Sequence, residues 1–271
     1  MKVVIFTQNT MASIVATRRI LQKNSNKVKA IVLASQIKGD SFKAQAKIAY
    51  KLIQKSSLSF FTYKVIESKL YNILLAAHKF VGSKKYKNGR ALTIEELAIK
   101  HNIPIIYCTN LSDEEFLHKI NDIQPDYVLC LVAQILRKKV FTILGDKLIN
   151  AHGSYLPEYR GAAQYIFYLA NKDSQYGVTI HYMEPGLDTG DIIFQRRFNI
   201  PERWSVYDLH YAMSASFGDL LNEFLEGNNS KRTQQDHSKA TETRMPTKED
   251  MLSVRMNGKK LMRVKDFFTH I

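Results

Sequence analysis

Cysteine is nearly missing from this chain: Cys108 and Cys130 are the two among 271 residues, and no Cys-x-x-Cys occurs. That excludes a disulfide-stapled fold and a thiolate metal site. Both lie inside apolar runs and read as reduced core residues. No apolar run approaches the roughly 18 residues of a membrane span. The first six residues read as a short strand, not as a charged leader with an apolar core, so a cytoplasmic protein is expected. Thr7-Gln8-Asn9-Thr10 stands where a dinucleotide fold carries Gly-x-Gly-x-x-Gly, and no Walker-type phosphate loop is present. Ser154 lacks a Gly-x-Ser-x-Gly elbow, which argues against a serine hydrolase. His152, His181, Asp188 and Asp191 lack metalloenzyme spacing, so no metal is expected.

Acid is the scarcer charge, with 25 Asp and Glu against 39 Lys and Arg. The imbalance is local: residues 36–92 hold 12 Lys and Arg against Asp40 and Glu67. Such an excess fits a polyanionic partner (nucleic acid, anionic lipid or a phosphate-bearing substrate) or a solvated lysine-rich face.

A chain of this length buries one good core with at most a small appendage. Val3–Thr7 and Val28–Ala34 read as buried strands around a helix at Met11–Gln22. Pro104–Cys108 and Asp126–Ala133 read the same way around a helix at Asp113–Asn121. Strands alternating with helices imply a mainly parallel sheet covered on both faces. Val178–Met183 and Ile192–Arg197 form a hairpin-like pair. Within 36–92 the periodicity predicts a short helix over Phe42–Gln54. A longer one presents Tyr63, Ile66, Leu70, Ile73, Leu74 and Ala77 on one face. This basic insertion is expected to cover the core, dock on an anionic membrane surface, or hold an acceptor. Val206–Leu225 reads as a helix, and residues 231–245 as polar chain.

The residues that carry chemistry gather in 150–191. Asn150-Ala-His152-Gly-Ser154-Tyr-Leu156-Pro157-Glu-Tyr-Arg160-Gly161 precedes Gly186-Leu-Asp188-Thr-Gly-Asp191. If Leu148–Asn150 ends a strand, Asn150 and His152 project to one side, because strand side chains alternate. That pair can hold a carbonyl oxygen as it gains negative charge, while Asp188 or Asp191 takes or orients a proton. Singly, each residue has a plainer reading: a turn-forming Asn, a hydrogen-bonded His, an Arg160 that anchors its own turn.

Asn150/His152, Ser154–Gly161, Gly177–His181, Leu187–Asp191 and the upstream Pro125–Leu136 together resemble the catalytic domain of the folate-dependent formyltransferases. That family includes methionyl-tRNA, glycinamide ribonucleotide and sugar N-formyltransferases. The likeness is firm over roughly residues 120–200 and faint over 1–35. It implies a Rossmann-like α/β fold over 1–200, interrupted by the helical insertion 36–92 and followed by a short C-terminal extension, 201–271. It also implies 10-formyltetrahydrofolate as donor and a primary amine as acceptor. Asn150, His152 and Asp188 would be catalytic. Gln134, Ile135, Leu136, Ser154, Leu156 and Pro157 would contact the folate, and Arg160 the substrate. His181 would play a supporting role, and Asp191 would cap its loop.

The chain departs from the methionyl-tRNA branch at the turn after its first strand and at Gln164, where that branch has proline. The 83 residues after Asp188 are also too few for that branch's C-terminal barrel. Arg244-Met-Pro246-Thr-Lys-Glu-Asp250 resembles tails of uncharacterised formyltransferases and, more loosely, those of sugar-formylating enzymes. The expected acceptor is therefore an amino sugar or related small amine, free or carried on a nucleotide or lipid phosphate. Methionyl-tRNA is the alternative, and a folate-binding regulatory protein is the alternative of another class.

Overall fold

Alternation within the first strand decides the architecture. In β1 (Val3–Thr7), Val3 and Ile5 enter one apolar cluster while Val4 and Phe6 enter another. A strand buried on both faces needs helices on both faces, and a computed structural model of the chain has them. It describes residues 1–34, 54, 56–88, 92–227 and 232–266. The helix expected over Phe42–Gln54 lies outside these residues apart from Gln54.

The remaining strands are β2 (Val28–Ala34), β3 (Ile105–Cys108), β4 (Tyr127–Cys130), β5 (Leu148–His152), β6 (Arg160–Gly161), β7 (Gln175–Tyr182), β8 (Ile192–Asn199) and β9 (Glu242–Thr243). The helices are α1 (Met11–Asn24), α2 (Leu58–Phe80), α3 (Lys84–Lys87), α4 (Ile94–Lys100), α5 (Glu114–Asp122), α6 (Lys138–Leu144), α7 (Gln164–Ala170), α8 (Val206–Leu225) and α9 (Lys248–Met256). Seven strands form one sheet in the order β3-β2-β1-β4-β5-β7-β8. The first five are parallel, and β7 and β8 are antiparallel additions at one edge. This is the mainly parallel sheet the sequence implies. Helices α5 and α6 cover one face, while α1, α7 and α8 cover the other. Gly218 lets α8 close on α1, because a Cβ there would lie 2.7 Å from the Ala16 carbonyl oxygen. Among the described residues no helix is long and apolar enough to cross a membrane.

Two expectations need correction. The strand expected over Asp126–Ala133 stops at Cys130: the Leu131 N–H still donates to the Phe6 carbonyl (2.8 Å), but the Leu131 carbonyl accepts from Ser13 Oγ (2.8 Å). The buried face of α2 is also different. Phe60, Tyr63, Glu67, Tyr71 and Leu75 point inward, while Ile66 and Ile73 are exposed. Glu67 is the reason. Only 3% exposed, its carboxylate accepts from Tyr63 Oη (2.6 Å), from His210 Nδ1 of α8 (2.7 Å) and from Lys64 Nζ. The Lys64 and His210 charges hold the Glu67 carboxyl well below its ordinary pKa against the opposing effect of burial, which is the largest single influence on it. A buried charge is thus what ties α2 to the core.

Glu67→Ala should cost about 2–3 kcal/mol. That is less than breaking a fully buried pair costs, because Lys64 is itself 36% exposed and can return to water. Urea denaturation would show it, and an unchanged midpoint would mean that the cluster does not secure α2.

Candidate active site

Strand register assembles the site. In β5, Ile149 and Ala151 belong to the core shared with α1 and α8, so Asn150 and His152 project from the opposite face. Antiparallel pairing sets His181 of β7 directly across from Asn150, and Thr179 across from His152. His181 Nδ1–H donates to the Tyr182 carbonyl (2.7 Å), which leaves Nε2 as an acceptor for the Asn150 amide N–H (3.2 Å). His181 is almost wholly buried. Burial first, and the adjacent His152 second, lower its pKa to about 4, although Asp188 pulls the other way. A neutral His181 orients Asn150.

The β7–β8 loop brings Asp188 to the same place. Its Oδ2 accepts the Gly161 N–H at 2.9 Å and lies 3.5 Å from His152 Nδ1, and its Oδ1 is 4.0 Å from His181 Nε2. The other nitrogen of His152, Nε2, faces the Tyr159 carbonyl at 3.1 Å. Both nitrogens of His152 therefore face acceptors. Gln164 Nε2 donates to the Gly161 carbonyl (2.6 Å) and reaches within 3.3 Å of His152 Nε2, to which it can donate only when that nitrogen is bare. Among the described residues no cluster of His, Cys, Asp or Glu is placed to hold a metal.

Three non-glycine residues around the site have left-handed backbone: Tyr159 (φ 53°), Ala163 (φ 56°) and Asp188 (φ 52°). Such conformations cost energy and persist only where surroundings hold them. At Tyr159 and Asp188 a strap of residues 232–247 does the holding, Thr241 Oγ1 accepting the Tyr159 N–H at 2.8 Å. Gln235, buried, donates from Nε2 to the Asp188 and Gly190 carbonyls (2.8 and 2.7 Å). Its Oε1 accepts from Arg160 Nε and Nη2 (3.3 and 2.6 Å), and Arg160 Nη2 also donates to His237 Nδ1 (2.9 Å). The strap continues as β9, pairing with β6 so closely that a Cβ on Gly161 would sit 2.2 Å from the Thr243 carbonyl oxygen.

Asn150, His152 and Asp188 thus come together. Arg160, expected to meet substrate, is 5% exposed and spends its guanidinium on the strap. Gln134 and Ile135 stand in solvent, Ile135 at 87% exposure, beyond the end of β4. Leu136 turns inward among the side chains between the sheet and α6. Ser154 and Leu156 lie in the interior and Pro157 is half-buried, its carbonyl accepting from Thr241 N–H. Asp191 gives its carbonyl to Tyr182 N–H at the start of β8. Sequence reasoning missed Gln235, which lies in a polar stretch with no periodicity. It also missed the contacts of Gln164, whose one signal was that it stands in place of an expected proline.

The family model described as formyl transferase matches residues 1–216. A methionyl-tRNA formyltransferase from Clostridioides difficile is 38% identical over 148 residues, 53% of this chain and 48% of that protein. One from Syntrophus aciditrophicus is 37% identical over 57% of this chain and 51% of its own length. The chain thus spans about half the length of the curated relatives it matches. Among solved structures, a phosphoribosylglycinamide formyltransferase from Streptococcus pneumoniae superposes with TM-score 0.56 at 16% identity, covering 83% of this chain and 97% of that one. An N-formyltransferase from Helicobacter canadensis, in complex with folinic acid and dTDP-3-aminofucose, gives 0.55 at 17% identity, covering 92% and 72%. At these identities the structures speak to fold alone.

Two outcomes test this reading of the site. Gln235→Ala strands two loop carbonyls and the Arg160 guanidinium, and should cost on the order of 3 kcal/mol in urea denaturation. Parent-like stability would contradict the strap's role. The second test concerns pH. Since the folded pKa of His181 is depressed from 6.5 to about 4, the unfolded chain binds the extra proton between those values. Stability should therefore fall as pH drops through that window. His181→Gln should reduce the fall, measured as the change in urea midpoint between about pH 7.5 and about pH 5, and an unaltered fall would assign the acid sensitivity elsewhere.

Proposed function

Since the chain belongs to the formyl transferase family, we propose that it transfers a formyl group from 10-formyltetrahydrofolate to a primary amine. The observation that carries this reading is the meeting of Asn150, His152 and Asp188 at the ends of β5 and the β7–β8 loop, with His181 orienting the amide. The surroundings suit a folate. Ile135, exposed beyond the end of β4, offers apolar surface for a flat ring to cover, with Gln134 next to it in sequence.

The donor supplies a formyl carbon attached to nitrogen. Asn150 has a second amide N–H beyond the one given to His181, and can donate it to the formyl oxygen as that oxygen gains charge. His152 adds a further donor when its N–H turns from the Tyr159 carbonyl toward that oxygen. Asp188 faces His152 Nδ1 and orients its ring and, through water, accepts the proton that the attacking amine sheds. A new carbon–nitrogen bond to the amine forms, the bond to the folate nitrogen breaks, and the amine's proton ends on that folate nitrogen. Asp188 suits this role because the Gly161 N–H fixes one of its oxygens and leaves the other directed at the site.

The amine's carrier is read first as an amino sugar or related small molecule. Among the described residues after Asp188, α8, the strap and α9 all pack on the catalytic core. Methionyl-tRNA is the second reading, and the names of the relatives at 38 and 37% identity favour it.

Release of tetrahydrofolate should be followed with a panel of amino-sugar nucleotides and charged methionyl-tRNA. His152→Ala and Asn150→Ala should each lower turnover about 100–1,000-fold, the usual cost of one oxyanion donor. Turnover with a sugar alone supports the first reading, and turnover with tRNA alone replaces it by the second. Folate binding with no turnover on any acceptor would favour a regulatory folate-binding protein.

A further inference from the structure

Helix α2 has a second apolar face that the core does not use. Leu58 (66% exposed), Ile66 (42%), Ile73 (60%) and Phe80 (92%) recur along its outer side at helical spacing. The one acid of this helix, Glu67, is buried on the opposite side, while Lys69 stands exposed between Ile66 and Ile73. The N-terminal half of this face borders a cleft of about 940 Å³ between α2 and α9, lined by apolar residues including Met251, Leu252 and Val264. Its charged lining residues are Lys248, Arg255 and Arg263, with no carboxylate among them. Arg263 is engaged by Asp208 and Asp266, whereas Lys248 and Arg255 form no ion pair among the described residues.

We propose that the outer face of α2 and the adjoining α2–α9 cleft dock on an anionic phospholipid bilayer. The aliphatic and aromatic side chains enter the boundary below the headgroups, and Lys69, Lys248 and Arg255 meet headgroup phosphates. Apolar surface and unpaired cations side by side, with acid excluded, match the two-part chemistry of such an interface. A nucleic-acid site would use the cations but gain nothing from exposed Leu, Ile and Val. A second copy docked about a two-fold axis would bring Lys248 and Arg255 toward their own copies, which like-charge repulsion disfavours. This inference does not depend on the acceptor or on formyl transfer.

The test is cosedimentation of the full chain with phosphatidylcholine vesicles, with and without roughly one-third phosphatidylglycerol, at low and high salt. Binding is expected on the anionic vesicles alone, weakened but not abolished by salt. Lys248→Gln with Arg255→Gln should weaken it about 30-fold, the effect of losing two surface-proximal cations. Ile73→Ser with Phe80→Ser should weaken it about tenfold or more. Both pairs are outside the core, and an unchanged melting temperature confirms that the variants fold. Absence of binding at low salt would overturn the proposal. Loss in the charge variant with none in the apolar variant would do so too, since it would reveal adsorption by charge alone. Concentration-dependent dimers that the apolar variant dissolves would assign the face to a second copy.

Discussion

Everything in the site is referred to the carboxylate of Asp188. It comes from the loop between β7 and β8, and it must be held in a left-handed conformation to reach the ends of β5 and β7. One contact on each side does this. The Gly161 N–H takes Oδ2, and the Gln235 amide takes the main-chain carbonyls of Asp188 and Gly190. Gln235 uses both hydrogens of its nitrogen and a shared oxygen, so the amide cannot rotate without losing several bonds at once. Arg160 is the counterpart on the other side of that amide. Its burial makes sense as a fixed charge whose donors define which end of Gln235 faces the loop.

The sheet and its edge were legible because alternation is a strong signal. Val3–Thr7, Val28–Ala34 and Val206–Leu225 appear with the bounds their composition implies. Strand parity put Asn150 and His152 on one side, whereas Asp188 in preference to Asp191 was legible only through the resemblance to the formyltransferases. What escaped were contacts set by residues far apart in sequence. Gln235 is 47 residues from the carbonyl it holds, and nothing in its neighbours marks it. Leu131 was read as strand because it is apolar, yet Ser13, 118 residues away, claims its carbonyl. Single hydrogen bonds between distant segments leave no periodicity to read.

Helix α2 shows how a pattern can be right in period and wrong in direction. Its apolar residues form two stripes, and hydropathy alone picks the more aliphatic one. The core chooses the other, because that stripe contains the Tyr63 hydroxyl and the Glu67 carboxylate, which satisfy each other and His210 once buried. The stacking of the Tyr165 and His210 rings at 4.1 Å extends the same cluster toward α7, whose first residue, Gln164, touches His152. A buried polar cluster specifies one orientation where an apolar stripe would accept several, since rotating the helix would leave a carboxylate without donors.

The direction of the hydrogen bonds around Asn150 follows from the same economy of donors. The Tyr182 carbonyl can only accept, so His181 must spend its one N–H there while neutral. Its Nε2 then has only a lone pair to offer, and the side of Asn150 facing it must be the amide nitrogen. A protonated His181 would face Asn150 with a second N–H and force the amide to turn its oxygen inward. That would move the remaining amide hydrogen away from where the proposed formyl transfer would use it. Burial at β7, which keeps His181 neutral, and the donor polarity at β5 are therefore one constraint. The antiparallel register that places residue 181 across from residue 150 is what imposes it.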